Sequence, residues 1–335
     1  MRGGLFKLAG LVLIVAGVLG AWLLMDYQSA LLRPLHTGQE PLYFEVEPGS
    51  SLRQVARELG ERGLLQKPYY LVFQARWTGA ADRIQAGEYA IPPHTNAVQF
   101  LERLVSGKVV QHSLTIVEGW NFQEVVQAVR ESPHLTHTME GLDAEAIMER
   151  IGAPGVHPEG RFYPDTYHFP RGTTDVAFFK RAYEVMQERL QSEWSARAGG
   201  LPYDTPYDAL ILASIVEKET AVPDERAQIA GVFVRRLERG MRLETDPTVI
   251  YGLGESFDGN LRRRDLRAHT PYNTYVHKGL PPTPIAMPSG ESIHAALNPA
   301  PGDELYFVAT GDGSHYFSAT YEEHRRAVAR YQLGR

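Results

Sequence analysis

A chain of 335 residues has room for about two domains at roughly 150 residues each. With 43% hydrophobic and 22% charged residues it has the balance of a globular protein with a sizeable core. A net charge of −6 offers nothing for electrostatic binding to nucleic acid, and the absence of cysteine excludes disulfides and thiolate chemistry.

The first element is apolar. Residues 8–25, "LAGLVLIVAGVLGAWLLM", carry no charge. About 20 apolar residues cross a bilayer as a helix, and Leu5 and Phe6 extend the run across Lys7. Arg2, Lys7 and the amino terminus precede the run and Asp26 follows it. The positive-inside rule therefore predicts a cytoplasmic tip and a single-pass anchor over 1–25, with the rest of the chain on the far side of a cytoplasmic (inner) membrane. A cleaved signal peptide is the alternative. Against it, the apolar region exceeds the usual 7–15 residues and no A-x-A-like site follows Met25.

Residues 26–40 read as a polar tether. Beyond it, 42–47 alternates like a strand, Pro48-Gly49 makes a turn, and Ser50 or Ser51 caps a helix with apolar Leu52, Val55, Ala56 and Leu59. A second helix is expected over 67–77, a strand at "RIQAGEYAI", and a capped helix ending at Gly107. The pattern "VEPGSSLRQVA" from Val46 recurs as "VEGWNFQEVVQAV" from Val117, where Asn121 and Glu124 suit a capping box. Such repetition also arises wherever strand, turn and helix are locally favourable.

From 113 onward the spacing predicts helices over 176–197, 208–219 and 224–239, the first two separated by "AGGLPYDTPYD". Loop-rich sequence follows 241. A strand pair then turns at Gly311-Asp312-Gly313, and a helix closes the chain over 321–331. The expected class is α+β: a small module over 41–112 and a larger mixed domain over 113–335.

Within "ILASIVEKETAV" (211–222) lie two glutamates beside an apolar run. At 100° per residue, with Leu212 at zero, Glu219 falls at about −20°, in line with Val216 and Ile215, while Glu217 falls at about +140°. Their side chains diverge by about 160°, so they cannot be an acid and base flanking one bond. A carboxyl on the apolar face loses hydration and holds its proton to higher pH, the property of a general acid. Glu217 suits a structural pairing, and Thr220 could position Glu219. Periodicity alone also permits Glu219 to be a solvated helix-end residue.

"PEGRFYPDTYHFPRG", "LASIVEKETAV", "GVFVRRLERGMRLETDPTVIYG", "TPYNTYVHKGLPP" and "YFVATGDGSHYFS" together resemble the YceG-like family, the MltG-type endolytic murein transglycosylases. The resemblance covers nearly the whole chain. It implies a membrane-anchored, periplasm-facing lyase. Such an enzyme cuts peptidoglycan glycan strands internally between N-acetylmuramic acid and N-acetylglucosamine and leaves a 1,6-anhydro end. It also implies a LysM-like small module, association with peptidoglycan synthases, and Glu219, the second glutamate of E-K-E-T, as the catalytic residue.

Around that residue the loops offer sugar-binding side chains: Asp246, Thr248, Tyr251, Asn273 and Tyr275. Turn formation and packing are alternative roles for each. Asp165 and Tyr167 are supporting candidates. The Pro-rich "GLPPTPIAMP" could stiffen a cleft wall or merely connect. No H-E-x-x-H, G-x-G-x-x-G or P-loop occurs, so neither a metal nor a cofactor is expected. Two other functions stay open: a non-enzymatic glycan-binding scaffold and a hydrolytic muramidase.

Overall fold

The computed structural model describes residues 2–334, with side chains from Phe6 onward. The amino terminus and the Arg2 side chain, two of the charges that orient the anchor, lie outside that set. The fold is mixed α+β, with three two-stranded sheets among many helices in the described residues.

The N-terminal helix α1 (Arg2–Leu32) includes a stretch, Phe6–Leu32, long and apolar enough to cross a membrane. The helix does not stop at Met25 but continues through the first part of the expected tether. Tertiary contacts explain the extension. Leu31 is buried, and Asp26 accepts hydrogen bonds from Lys67 Nζ (2.5 Å) and Tyr70 Oη (2.7 Å). Local polarity suggested a linker, and packing overrode it.

The chain divides into two compact units: residues 1–112 with 168–172, and residues 113–167 with 173–335. In the first, β1 (Leu42–Val46) pairs antiparallel with β2 (Gly87–Ile91), setting Phe44 opposite Tyr89. Helices α2 (Leu52–Glu61), α3 (Pro68–Trp77) and α4 (Ala97–Ser106) complete this unit. Phe100 meets both Phe44 and Tyr89 edge-on, at 5.7 and 6.1 Å between centroids, in a core shared with Leu59, Leu71 and Leu104. Ser51 with Gln54, and Asn96 with Gln99, form capping boxes that satisfy the first amides of α2 and α4. The helix α4 ends at Gly107, whose φ of 64° only glycine adopts readily.

The strands β3 (Gln111–Thr115) and β4 (Thr166–Pro170) make the second sheet. In the second unit, α5 (Phe122–Glu131) starts with the expected Asn121–Glu124 capping box. Gly119 precedes it at φ 77°, matching Gly49 at φ 82° before α2, so the sequence repeat is also a conformational one. Short α6 (Ala144–Arg150) and long α7 (Asp175–Ser195) follow.

The centre of this unit is α8 (Pro206–Glu219). Thr205 and Asp208 close its capping box, Pro206 opens its first turn, and residues 209–216 are buried all round. A helix apolar on every side must be surrounded. Packed on α8 are α7, α9 (Arg226–Glu238), α10 (Asp246–Leu253) and α11 (Gly290–Leu297). The Pro-rich segment is part of this packing. Pro281 and residues 283–289 are buried, and Ile285 N donates to Ser214 Oγ at 2.9 Å. The hairpin β5 (Tyr306–Ala309) and β6 (His315–Ser318), with α12 (Tyr321–Tyr331), completes the unit.

Candidate active site

The two glutamates leave the end of α8 in different directions. Glu217 Oε2 accepts three hydrogen bonds, from Ser289 N (2.9 Å), Ser289 Oγ (2.5 Å) and Ser292 Oγ (2.7 Å). These donors lie at the N-terminus of α11, where a carboxylate also meets the positive end of the helix dipole. Glu217 is therefore fully engaged in holding the start of α11.

Glu219 has the opposite environment. It is the last helical residue of α8, and Thr220 beyond it is extended (φ −142°, ψ 137°). Its side chain is half-buried in a cleft of about 400 Å³ lined also by Arg236, Glu244, Asp246, Tyr275 and His315. One hydrogen bond reaches it, donated by Thr245 Oγ1. Burial pushes its carboxyl up to about 7, outweighing the opposing effects of the Thr245 bond and of His315 and Arg236; the Asp246 charge adds to the rise. The negative end of the α8 dipole acts in the same direction as burial. Near neutral pH this carboxyl can both give and take a proton.

The cleft is built from loops that α8 and α9 hold in place. Arg236 is buried on α9 and donates to Leu305 O (2.7 Å) and Leu243 O (2.9 Å), with Glu244 at 3.3 Å. It thus ties the start of β5 to the loop carrying Glu244 and Thr245. Glu244 has φ 52°, a strained left-handed conformation for a residue with a side chain, held by its N–H to Thr274 O (3.2 Å). On the other wall His315 is fixed by Glu225, which accepts from His315 N (2.7 Å) and faces Nδ1 (2.7 Å). Thr220 is buried beside that pair, its hydroxyl 3.4 Å from Glu225 Oε2 and accepting from Val222 N.

The loop residues separate into two groups. Asp246 and Tyr275 line the cleft with Glu219, and Tyr275 Oη donates to Asp246 Oδ1 at 2.6 Å. Thr248, Asn273 and Tyr251 do not line it. Thr248 is fully buried and donates to Thr245 O (2.8 Å). Asn273, also fully buried, pins the 265–275 loop through Ala268 O (2.7 Å) and Tyr275 N (2.9 Å). Tyr251 donates to Glu159 Oε2 at 2.9 Å. All three brace the segments behind the lining: Thr248 holds Thr245, the partner of Glu219; Asn273 holds Tyr275; and Tyr251 holds α10, whose Asp246 faces the cleft. Asp165 accepts from Thr166 N, and Tyr167 is buried with its hydroxyl on Tyr163 O (2.7 Å); both lie away from the cleft lining.

Several residues here had no periodic signal in the sequence. Arg236, the adjacent Glu244 and Thr245, and His315 come from three segments, and His315 meets the others only in three dimensions. Glu159 is a second withdrawn acid, 3% exposed and pushed up to about 7 by burial, although Phe122 N and Tyr251 Oη bond to it. It lies outside the cleft lining and holds α5 to α10. Among the described residues no group of three or more His, Cys, Asp or Glu could hold a metal ion.

An α+β scaffold thus presents a withdrawn glutamic acid in a polar, tyrosine-lined cleft, a combination of the kind that suits proton transfer. The chain belongs to the YceG-like family, whose profile matches residues 44–330. It is 28% identical to the endolytic murein transglycosylase of Bacillus subtilis (strain 168), over 91% of this chain and 89% of that protein. Identity is also 28% to the protein of the same name from Streptococcus pneumoniae serotype 2, covering 85% of this chain but only 57% of the longer pneumococcal protein. Among solved structures, a yceG-like protein of Listeria monocytogenes matches with a TM-score of 0.55 and 29% identity, over 86% of this chain and 99% of that one.

Proposed function

We propose that this protein is a membrane-anchored endolytic murein transglycosylase with Glu219 as its one general acid and base. The observation that carries the reading is the Glu219 carboxyl, deprived of water at the end of α8 yet open to a cleft, in a chain of the YceG-like family. In the step we propose, protonated Glu219 gives its proton to the glycosidic oxygen between N-acetylmuramic acid and N-acetylglucosamine, and the C1–O bond breaks. Positive charge at muramyl C1 is met by the substrate's own N-acetyl group. The C6 hydroxyl of the same sugar then bonds to C1 and loses its proton to Glu219, which returns to its starting state. The products are a 1,6-anhydromuramyl end and a free N-acetylglucosamine hydroxyl, with no water consumed.

An internal nucleophile has a high effective concentration, so a second catalytic carboxylate is not needed. Asp246 and Tyr275 are the proposed sugar contacts. Thr248, Tyr251 and Asn273, proposed from sequence as contacts, act in this reading through the loops they brace. We further propose that α1 crosses the inner membrane with its N-terminus cytoplasmic, that residues 41–112 form a LysM-like module, and that cleavage occurs beside peptidoglycan synthases.

One observation favours a second reading. Glu244 and Asp246 place further carboxylates in the same cleft, and either could activate water in a hydrolytic muramidase. Mass spectrometry of glycan strands digested by the full-length protein separates the two. Anhydro ends support the transglycosylase and reducing ends the hydrolase. Intact strands refute both and leave a glycan-binding scaffold.

A further inference from the structure

A larger cavity than the Glu219 cleft, about 920 Å³, lies in the first unit as a groove between α2 and α3. Its floor is apolar, with Ala56, Leu65, Pro68 and Val72, and its rim carries Arg53, Arg57 and Arg76, all exposed. Alongside it runs an aromatic stripe. Tyr69, Phe73 and Trp77 are spaced four residues apart on one face of α3 and are 60%, 56% and 81% exposed. Phe73 and Trp77 stack at 6.2 Å. Three large rings left in water on a single helix face are costly, whereas Leu71 and Ala75 on the opposite face fill the core.

The position of α3 along α1 indicates what covers that face. The uncharged part of α1 from residue 8 to residue 25, with Phe6 before it, reaches about 30 Å at 1.5 Å per residue, the depth of a bilayer's hydrocarbon core. Asp26 and Tyr27 then fall at headgroup level. Those are the two residues that hold α3. Tyr27 meets Tyr70 and Phe73 edge-on at 5.1 and 5.9 Å, and Asp26 bonds Lys67 and Tyr70. The aromatic stripe is thereby tied to the level where tyrosine and tryptophan partition best. The charges facing the groove are Arg53, Arg57 and Arg76, with Glu61 3.8 Å from Arg57 the one acid lining it, which leaves a positive rim.

We propose that the exposed face of α3, with the basic rim of α2, docks on the surface of the anionic phospholipid bilayer that α1 enters. Tyr69, Phe73 and Trp77 enter the headgroup–acyl boundary, and Arg53, Arg57 and Arg76 meet lipid phosphates in the groove. The proposal rests on α1 spanning the bilayer.

The natural absence of cysteine makes the test direct. Full-length Phe73→Cys, Trp77→Cys, Leu13→Cys and Glu102→Cys proteins are nitroxide-labelled and placed in nanodiscs of phosphatidylglycerol and phosphatidylcholine. Paramagnetic accessibility to oxygen and to a nickel chelate is then measured. Oxygen is expected to dominate at 13, 73 and 77, and nickel at 102 on α4. Nickel dominance at 73 and 77 with oxygen dominance at 13 overturns the docking while leaving the span intact; nickel dominance at 13 overturns the span itself. Shielding from both reagents at 73 and 77, with dipolar broadening between labels, assigns the face to a second copy and overturns the proposal. In discs of phosphatidylcholine alone, or with Arg53, Arg57 and Arg76 all replaced by alanine, nickel accessibility at 73 is expected to rise severalfold; no change overturns the role of the rim.

Discussion

Replacing Glu219 with glutamine should abolish turnover and stabilise the protein. The two effects have one cause. Burial raises the Glu219 carboxyl from an ordinary 4.5 to about 7, so its ionised form is better accommodated in the unfolded chain than in the fold. Below pH 4.5 both states are protonated and there is no penalty. As pH climbs from 4.5 to 7 the unfolded chain releases this proton and the folded one keeps it, so stability falls. Above 7 both are ionised and the loss levels off at roughly 3 kcal/mol. Glutamine does not titrate and still accepts the Thr245 bond. Its stability advantage over the parent should therefore be small near pH 4.5, grow to pH 7, and then stay constant. For a unit of some 200 residues that is roughly 6–12 °C in melting temperature. Thermal unfolding of the full-length proteins in detergent between pH 4.5 and 9 measures it. Glu159 is shifted in the same direction, but it is present in both proteins and cancels in the difference. An advantage that does not vary with pH, or a substituted protein that melts lower above pH 7, would refute the picture of a dehydrated acid. So would retained cleavage of murein.

Other substitutions probe the surroundings of that acid. Glu217→Gln weakens three charge-assisted bonds to the start of α11 and should cost about 1–3 kcal/mol in unfolding free energy while keeping measurable turnover. Thr245→Val removes the bond that favours ionised Glu219; the alkaline limb of the activity profile should move up by roughly 0.7 pH units for a bond worth ~1 kcal/mol. A downward shift would contradict the assignment. Tyr275→Phe frees Asp246 from its hydroxyl partner and should lower kcat/KM on glycan strands by about tenfold with an unchanged melting curve.

What could be read from residues alone was whatever repeats at short range. Helix α8 and the divergence of Glu217 from Glu219 follow from a 3.6-residue period, and the structure places the two carboxyls on different partners, whereas the Thr205–Asp208 capping box lies in what reads as a Gly/Pro-rich break. The hairpin at Gly311 and the paired turns at Gly49 and Gly119 were legible because glycine marks the backbone directly. Helices α10 and α11 were not. The first begins at an Asp-Pro pair that also starts turns, and the second is only eight residues long and follows a Pro-rich run that resembles loop. Thr248 and Asn273 illustrate a deeper limit. Hydroxyl and amide groups in a loop suit both sugar binding and loop bracing, and only burial tells them apart; both are fully buried. His315 lies far along the chain from Glu219, and no local pattern could bring it into the cleft.

The placement of the acid explains why so much of the site serves it indirectly. A carboxyl that must hold a proton at neutral pH needs to be deprived of water without being paired with a cation, and an ordinary loop supplies neither condition. The last turn of the most enclosed helix supplies both. The apolar turns before it fix its position, the helix's negative end opposes ionisation, and the chain turns away at Thr220 to leave the cleft open. Arg236 and His315 are near enough to moderate the shift, but their strongest bonds go elsewhere, to Leu305 O and to Glu225. Had either formed a salt bridge with Glu219, the charged form would have been favoured and the acid's hold on its proton weakened. In the proposed mechanism the anchoring of Arg236 and His315 by other partners is therefore as much a condition of proton transfer as the burial of Glu219 itself.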